Sequence, residues 1–150
     1  MKKWKTYAAY IIVTLLGGIL AAAITMDGMQ VYSTLQKPVL APPAWLFPVV
    51  WTILYVLMAI GGARYALNLK MISGIYFLQL VVNWLWPVIF FNFNAYLFAF
   101  FWLLLLLVLV IIMTWQFYKV DKLAGLLQIP YILWLTFAGY LNIMVYLLNK

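Results

Sequence analysis

The sequence predicts an all-α integral membrane protein, a five-transmembrane-helix bundle with a long proline-rich loop between the first and second helices. Three observations carry that prediction. Of the 150 residues, 70% are hydrophobic and only 7% are charged. A soluble domain has roughly a quarter of its residues charged, so this chain could not cover its apolar surface in water. Lipid offers no partner to a free backbone N–H or C=O, so a spanning chain forms helices or a closed barrel. Barrel strands show about ten residues of alternating apolar and polar character, whereas runs such as AYLFAFFWLLLLLVLVIIMTW at 95–115 are long and unalternating.

Five segments reach the roughly twenty apolar residues that a span needs, at about 6–26, 44–67, 71–91, 95–118 and 123–148. The first, with MKKWK before it and AAA at 21–23, also has the outline of a cleavable signal peptide. Its apolar run from Tyr7 to Met26 is longer than a usual signal core. It also carries LLGGILAA, where Gly17/Ala21 and Gly18/Ala22 are small-xxx-small pairs that let helices approach closely. A retained span is expected.

The connector that follows contains KPVLAPPAWLFPVVW at 37–51, with four of the six prolines. Proline fixes φ and disfavours helix in the residue before it. Pro38, Pro42 and Pro43 should therefore keep the connector extended and stiff, which lowers the entropy lost when it closes over a cavity. Pro48 falls near the first turn of the second span, where a missing N–H is tolerated. The later connectors, at 68–70, 91–94 and 119–122, are short and imply antiparallel neighbours in one membrane domain over 1–150. The fourth span is nearly pure Leu, Val, Ile and Phe at its centre and reads as lipid-facing support.

Lys and Arg set the topology. The N-terminal side collects Lys2, Lys3, Lys5, Arg64, Lys70, Lys119 and Lys122, and the other side only Lys37 and Lys150. By the positive-inside rule the N-terminus would be cytoplasmic in a bacterial cell membrane, with the first loop outside. The net charge of +7 is thus spent on orientation, and no nucleic-acid partner is expected.

Much chemistry is excluded. There is no Cys and no His, and the two carboxylates, Asp27 and Asp121, both lie in connectors. Disulfides, the usual zinc sites and intramembrane carboxylate chemistry are unavailable, so no metal or cofactor is expected. A proton-coupled transporter would want an ionisable residue within a span, and only Arg64, near a helix end, comes close.

The spans instead carry neutral polar groups among aromatics. Gln79, Asn83, Trp86 and Phe90 follow at spacings of four, three and four, which puts them on one helix face. Pro87 lacks the N–H that would bond the carbonyl of Asn83. This is either a kink healed by a neighbouring helix or a polar anchor in a pocket. Tyr131, Trp134, Ala138 and Asn142 share a face of the last span, and Trp51, Tyr55, Met58 and Gly62 a face of the second. Such stripes are more often packing or interfacial belts than ligand sites. Three together, if they converge, would wall an apolar pocket for a flat molecule. Two loose sterol-motif matches, at Leu141/Tyr146/Lys150 and Lys5/Tyr7/Val13, carry little weight.

Three blocks in order, LQKPVLAPPAWLFPVVWTILYVLMAIG, QLVVNWLWPVIFF and IPYILWLTFAGYLN, resemble the TspO/MBR family across essentially the whole chain. This is also the translocator-protein, peripheral benzodiazepine receptor or tryptophan-rich sensory protein family. The resemblance implies a membrane receptor or sensory binding protein, homodimeric, with an intrahelical cavity capped by loop 1. It implies binding of protoporphyrin IX or a related tetrapyrrole, of isoquinoline- and benzodiazepine-type drugs, of sterol in animal members, and contact with membrane lipid. The implied lining is Tyr32, Pro42, Pro43, Trp51, Asn83, Trp134 and Ala138, to which the stripes add Tyr55, Trp86, Phe90 and Asn142. Light- and oxygen-dependent porphyrin degradation is the enzymatic alternative, with Trp51, Trp134 and Tyr32 as electron donors; transport of porphyrin or lipid is another. The sequence departs from the family pattern at Val31, Leu40 and Pro48, which bears on photochemistry more than on binding. Lys37 could meet a porphyrin carboxylate or be a solvated loop charge. Ala59/Ala63 and Gly62/Ala66 are small-residue faces that could serve a dimer or pack internally.

Overall fold

A computed structural model describes residues 2–150. Among these, five helices are long and apolar enough to cross a membrane. The spans begin with α1 (Lys3–Ile24), which ends where Thr25 Oγ1 donates to the Ala21 carbonyl at 2.9 Å. A short helix follows, α2 (Met26–Ser33), and the second span is α3 (Leu46–Leu69). Pro48 is the third residue of α3, where no intrahelical donor is required. Lys70 closes α3 in the left-handed conformation, φ 54°.

Next, α4 (Gly74–Pro87) starts at Ser73, whose hydroxyl accepts from the Tyr76 amide, and runs into a π turn over Val88–Asn92. The fourth span is α5 (Tyr96–Val120), and the fifth is α6 (Lys122–Leu126) followed by α7 (Ile129–Asn149).

Two features depart from a plain five-helix reading. Ahead of the proline stretch the connector also holds a helix, α2, that the sequence reading did not place. Only the part after Thr34, which holds the prolines, is irregular. The last span, expected unbroken over 123–148, is interrupted at 127–128. Pro130, at the start of α7, lacks the N–H that would bond the Leu126 carbonyl, so the winding restarts there.

The spans close a ring in the order α1, α3, α7, α5, α4, with α1 and α4 in contact. The α1–α3 contact is the most extensive and the α3–α7 seam the thinnest. With lipid tails as apolar as leucine, close packing and interhelical hydrogen bonds hold such a bundle. The glycines of LLGGILAA supply the close packing. A Cβ on Gly17 would run into the Trp84 ring of α4, and one on Gly18 would meet Tyr55 of α3 at 2.5 Å. Gly62 likewise seats Tyr10 and Tyr76. Ala59, Gly62 and Ala63 are all buried, so these small-residue faces pack internally.

The fourth span is more than lipid-facing support. Ala99, Leu103, Leu106, Val110, Met113 and Phe117 form a buried stripe along it. Trp102 also donates its Nε1–H to the Val82 carbonyl at 2.8 Å, which ties α5 to α4 one turn before Pro87.

The basic residues other than Lys37 and Lys150 gather at one end. There Arg64 Nε donates to Asp121 Oδ2 at 2.6 Å, and Asp121 Oδ1 accepts from the Leu123 amide to start α6. At the opposite end Asn92 Nδ2 bonds the Ile24 carbonyl at 3.3 Å. The side-chain amide of Asn149 grips the backbone of Gln36 from both sides, accepting from its N–H at 2.9 Å and donating to its C=O at 2.8 Å.

Candidate functional site

Three spans bring their neutral polar side chains to a common point. Tyr55 of α3 donates its hydroxyl proton to Asn83 Oδ1 of α4 at 2.6 Å. Asn83 Nδ2 donates to Tyr131 Oη of α7 at 2.6 Å, and Tyr131 donates to Gln79 Oε1, one turn back on α4, at 2.8 Å. Gln79 Nε2 completes the series against Met58 Sδ of α3 at 3.7 Å. Met58, Gln79, Asn83 and Tyr131 are buried, and Tyr55, half-buried, is the least enclosed of the five. An unpaired buried polar group costs about 1–3 kcal/mol, so the ladder explains how these residues can sit inside an apolar bundle.

Trp51, one turn before Tyr55, lays its ring 5.5 Å from the Tyr55 ring and edge-on to Tyr131 at 6.3 Å. Trp51 thus walls the ladder at its least enclosed end.

A second group lies toward the loop end. Trp86 Nε1 donates to Asn142 Oδ1 at 3.0 Å, and Asn142 Nδ2 donates to the Tyr96 carbonyl at 2.8 Å. The Trp86 and Phe90 rings stack at 5.0 Å. Tyr32 of α2 comes down on this group, edge-on to Phe90 at 5.8 Å and to Phe91 at 5.6 Å, with Leu35 packed alongside. Burial raises the pKa of the Tyr32 phenol. Lys37 folds back over α2, where Nζ lies 4.9 Å from the Tyr32 ring and donates to the Ser33 and Leu35 carbonyls. Its charge is thus held by the end of α2.

Of the expected lining residues, Trp51, Tyr55 and Asn83 come together, and Tyr32, Trp86, Phe90 and Asn142 come together beside them. Trp134 departs from both. It turns toward α3, with its ring 5.8 Å from Phe47, and lines a cavity of about 400 Å³ in the α3–α7 seam with Val50, Ile53, Leu54, Leu133 and Phe137. Its Nε1 is buried without a partner. Ala138 packs on the main core, Pro42 is half-buried, and Pro43 is exposed. A second cavity, of about 280 Å³ between α5 and α7, is lined by Phe100, Leu103, Leu107, Gly139 and Tyr140 among others.

Reading the stripes finds the faces but not the partners. Tyr131, Gln79 and Met58 each lie on a stripe, yet only the fold shows them as rungs of one ladder. Asn149 lies two turns beyond Asn142, on the continuation of the last span's stripe, and carries the tie to the loop. That seven-residue spacing from Asn142 is the signal that could have found it.

A five-span helical membrane bundle with a helix-and-proline segment folded over one end, and tryptophans around a neutral polar core, is the class of protein defined here. Its spans and its matches to known proteins agree on which one. The model of the TspO/MBR family matches residues 9–147. The chain is 38% identical over 124 residues to Protein CrtK of Rhodobacter capsulatus, covering 79% of this chain and 78% of that one. It is 35% identical over 120 residues to the tryptophan-rich sensory protein of Cereibacter sphaeroides, covering 79% and 76%. It is 32% identical over 147 residues to the translocator protein of Bos taurus, covering 93% and 87%. The chain belongs to the TspO/MBR family and is a multi-pass integral membrane protein.

Proposed function

We propose that this chain is a non-enzymatic membrane receptor for flat, hydrophobic aromatic ligands of the tetrapyrrole kind, held within the bundle under α2 and the proline loop. Isoquinoline- and benzodiazepine-type drugs fit the same description, and sterol is a further candidate. The observation that carries the reading is the gathering of Tyr55, Asn83, Trp86 and Asn142 in the half of the bundle beneath Tyr32, with Trp51 beside them. This is a mostly apolar, aromatic-walled setting with a few fixed polar groups, as small-molecule sites have. Tyr32, Pro42, Pro43, Trp51, Tyr55, Asn83, Trp86, Phe90, Trp134, Ala138 and Asn142 are the proposed lining. The names of the relatives, sensory and translocator, fit a protein that binds such a ligand and reports or passes it on. In this reading the protein is a homodimer of a bacterial cell membrane, with its N-terminus cytoplasmic and the loop outside, as the lysines and Arg64 at one end favour.

Titrating the protein with protoporphyrin IX should quench tryptophan fluorescence saturably, and the double substitution Trp51→Ala and Trp134→Ala should weaken that binding. Unchanged affinity in the double variant would sink the proposed site.

One observation favours a second reading, light-dependent porphyrin degradation. Trp51 lies in ring contact with Tyr55 and Tyr131, which could relay an electron from the wall into the ladder. Illumination with protoporphyrin IX in air would then yield a new chromophore that Trp51→Phe suppresses. Decay no faster than that of free porphyrin in detergent would rule this reading out.

A further inference from the structure

Each link of the buried ladder constrains the next, and the constraint starts at a sulfur. Met58 Sδ can only accept a hydrogen bond, so the Gln79 amide must turn its Nε2 toward it. That leaves Gln79 Oε1 facing Tyr131, whose single proton must go there. Tyr131 Oη can then only accept, so Asn83 must present Nδ2 to it and Oδ1 to Tyr55. Tyr55 must therefore donate its own single proton to Asn83. The reverse arrangement would set Gln79 Oε1 against Met58 Sδ, two acceptors face to face. Chains of hydrogen bonds polarise one another in the same direction, which strengthens the choice.

From this ordering we propose that Tyr55 is a specificity-determining residue: with its proton committed to Asn83, its hydroxyl oxygen can only accept, and the site selects ligands that carry an N–H or O–H donor. Tyr55, half-buried, is the least enclosed end of the ladder, and the Trp51 ring lies 5.5 Å from its ring. A flat ligand settling against Trp51 meets Tyr55 Oη first. A ligand with a donor there completes a hydrogen bond, whereas one with an acceptor sets two lone pairs against each other. Met58, which lies at the far end of the ladder from Tyr55, sets this polarity as a positioning residue. The inference rests on the proposed function, in that it needs a ligand within the bundle beside Trp51.

Three flat tricyclic probes of nearly equal shape test it: carbazole with an N–H donor, dibenzofuran with an oxygen acceptor, and fluorene with neither. Their dissociation constants for the detergent-solubilised full chain are measured by calorimetry, in the same detergent for all variants so that micelle partition cancels. The parent protein should bind carbazole about tenfold more tightly than dibenzofuran. Tyr55→Phe should bring that ratio to about one. Met58→Leu, a swap of similar volume, removes the acceptor at the far end and frees the ladder to reverse. The ratio should then fall to one or below, with the fold intact by circular dichroism. Saturable fluorene binding with no carbazole preference, or a preference that survives in either variant, overturns the inference and leaves the proposed function standing. If none of the three binds saturably, the proposed function falls and the inference with it.

Discussion

The middle of the bundle and its two rims use the same kind of contact under different conditions. In the middle, Asn83 bridges two tyrosines at 2.6 Å while only 4% exposed. At the loop rim, Asn149 bridges the two backbone groups of Gln36 at 2.9 and 2.8 Å in an exposed position. At the basic rim, a charged pair, Arg64 and Asp121, does the tying. The geometry is about equally good in all three places, and the difference is what replaces a lost partner. An interior group has nothing to turn to, whereas a rim group finds solvent. The same hydrogen bond is structural in one place and adjustable in the other.

Breaking the interior should therefore have the largest effect. Tyr131→Phe strands Asn83 Nδ2 and Gln79 Oε1 together. With each interhelical bond in a membrane contributing about 0.6 kcal/mol on average and stranded buried groups costing more, a loss of about 2 kcal/mol is expected. Reversible unfolding in mixed micelles would measure it, and a loss near zero would mean that the interior is as forgiving as the rims.

The basic rim comes next. The Arg64 guanidinium, by its hydrogen bond, holds the Asp121 carboxyl below its ordinary pKa of 3.8. A depressed folded pKa contributes stability that is fully present above the ordinary value and is lost as pH falls through the folded one. Stability should thus be flat from pH 7 to about 5 for this pair and decline only below about 4. The pair is partly exposed, so the decline should be about 0.5 kcal/mol. Asp121→Asn should abolish that acid-side component, and an unchanged acid limb in the variant would argue against the assignment.

The smallest effect on stability, a few tenths of a kcal/mol, is expected for Asn149→Ala, because Gln36 can bond water instead. Its signature should be local. Amide hydrogen exchange over 34–45 should rise severalfold while exchange in the α3 and α5 cores stays unchanged. A uniform rise across the protein would mean that the clamp is part of the global fold.

How much of this could be read from the chain follows the same division. The five spans were legible because twenty apolar residues are needed whatever the packing. The face carrying Gln79, Asn83, Trp86 and Phe90 was legible because helical period depends on local spacing alone. The partners were not. That Asn83 meets Tyr55 and Tyr131, and that Trp134 turns to the α3–α7 seam, depends on the order of the helices around the ring, which no span encodes by itself. The helix α2 was hidden because its Gly28 and polar neighbours make it weakly apolar. Gly28 is needed where the segment passes close to the Phe91 backbone. The break before α7 had its signal in Pro130.

The π turn over Val88–Asn92 bears on how this protein tolerates change. In an α-helix successive residues diverge by about 100°, so Phe90 and Phe91 could not easily both face one neighbour. The wider turn brings both onto Tyr32 and Trp86, at ring separations between 5.0 and 6.0 Å. It acts as a phase shifter between α4 and everything downstream. A π turn holds one residue more than an α turn, so deleting one residue within 88–92 would restore ordinary winding and leave Asn92 near its present bearing. Only one phenylalanine would then face Tyr32 and Trp86. The extra residue of this segment is therefore what lets two successive phenylalanines share one pair of aromatic neighbours.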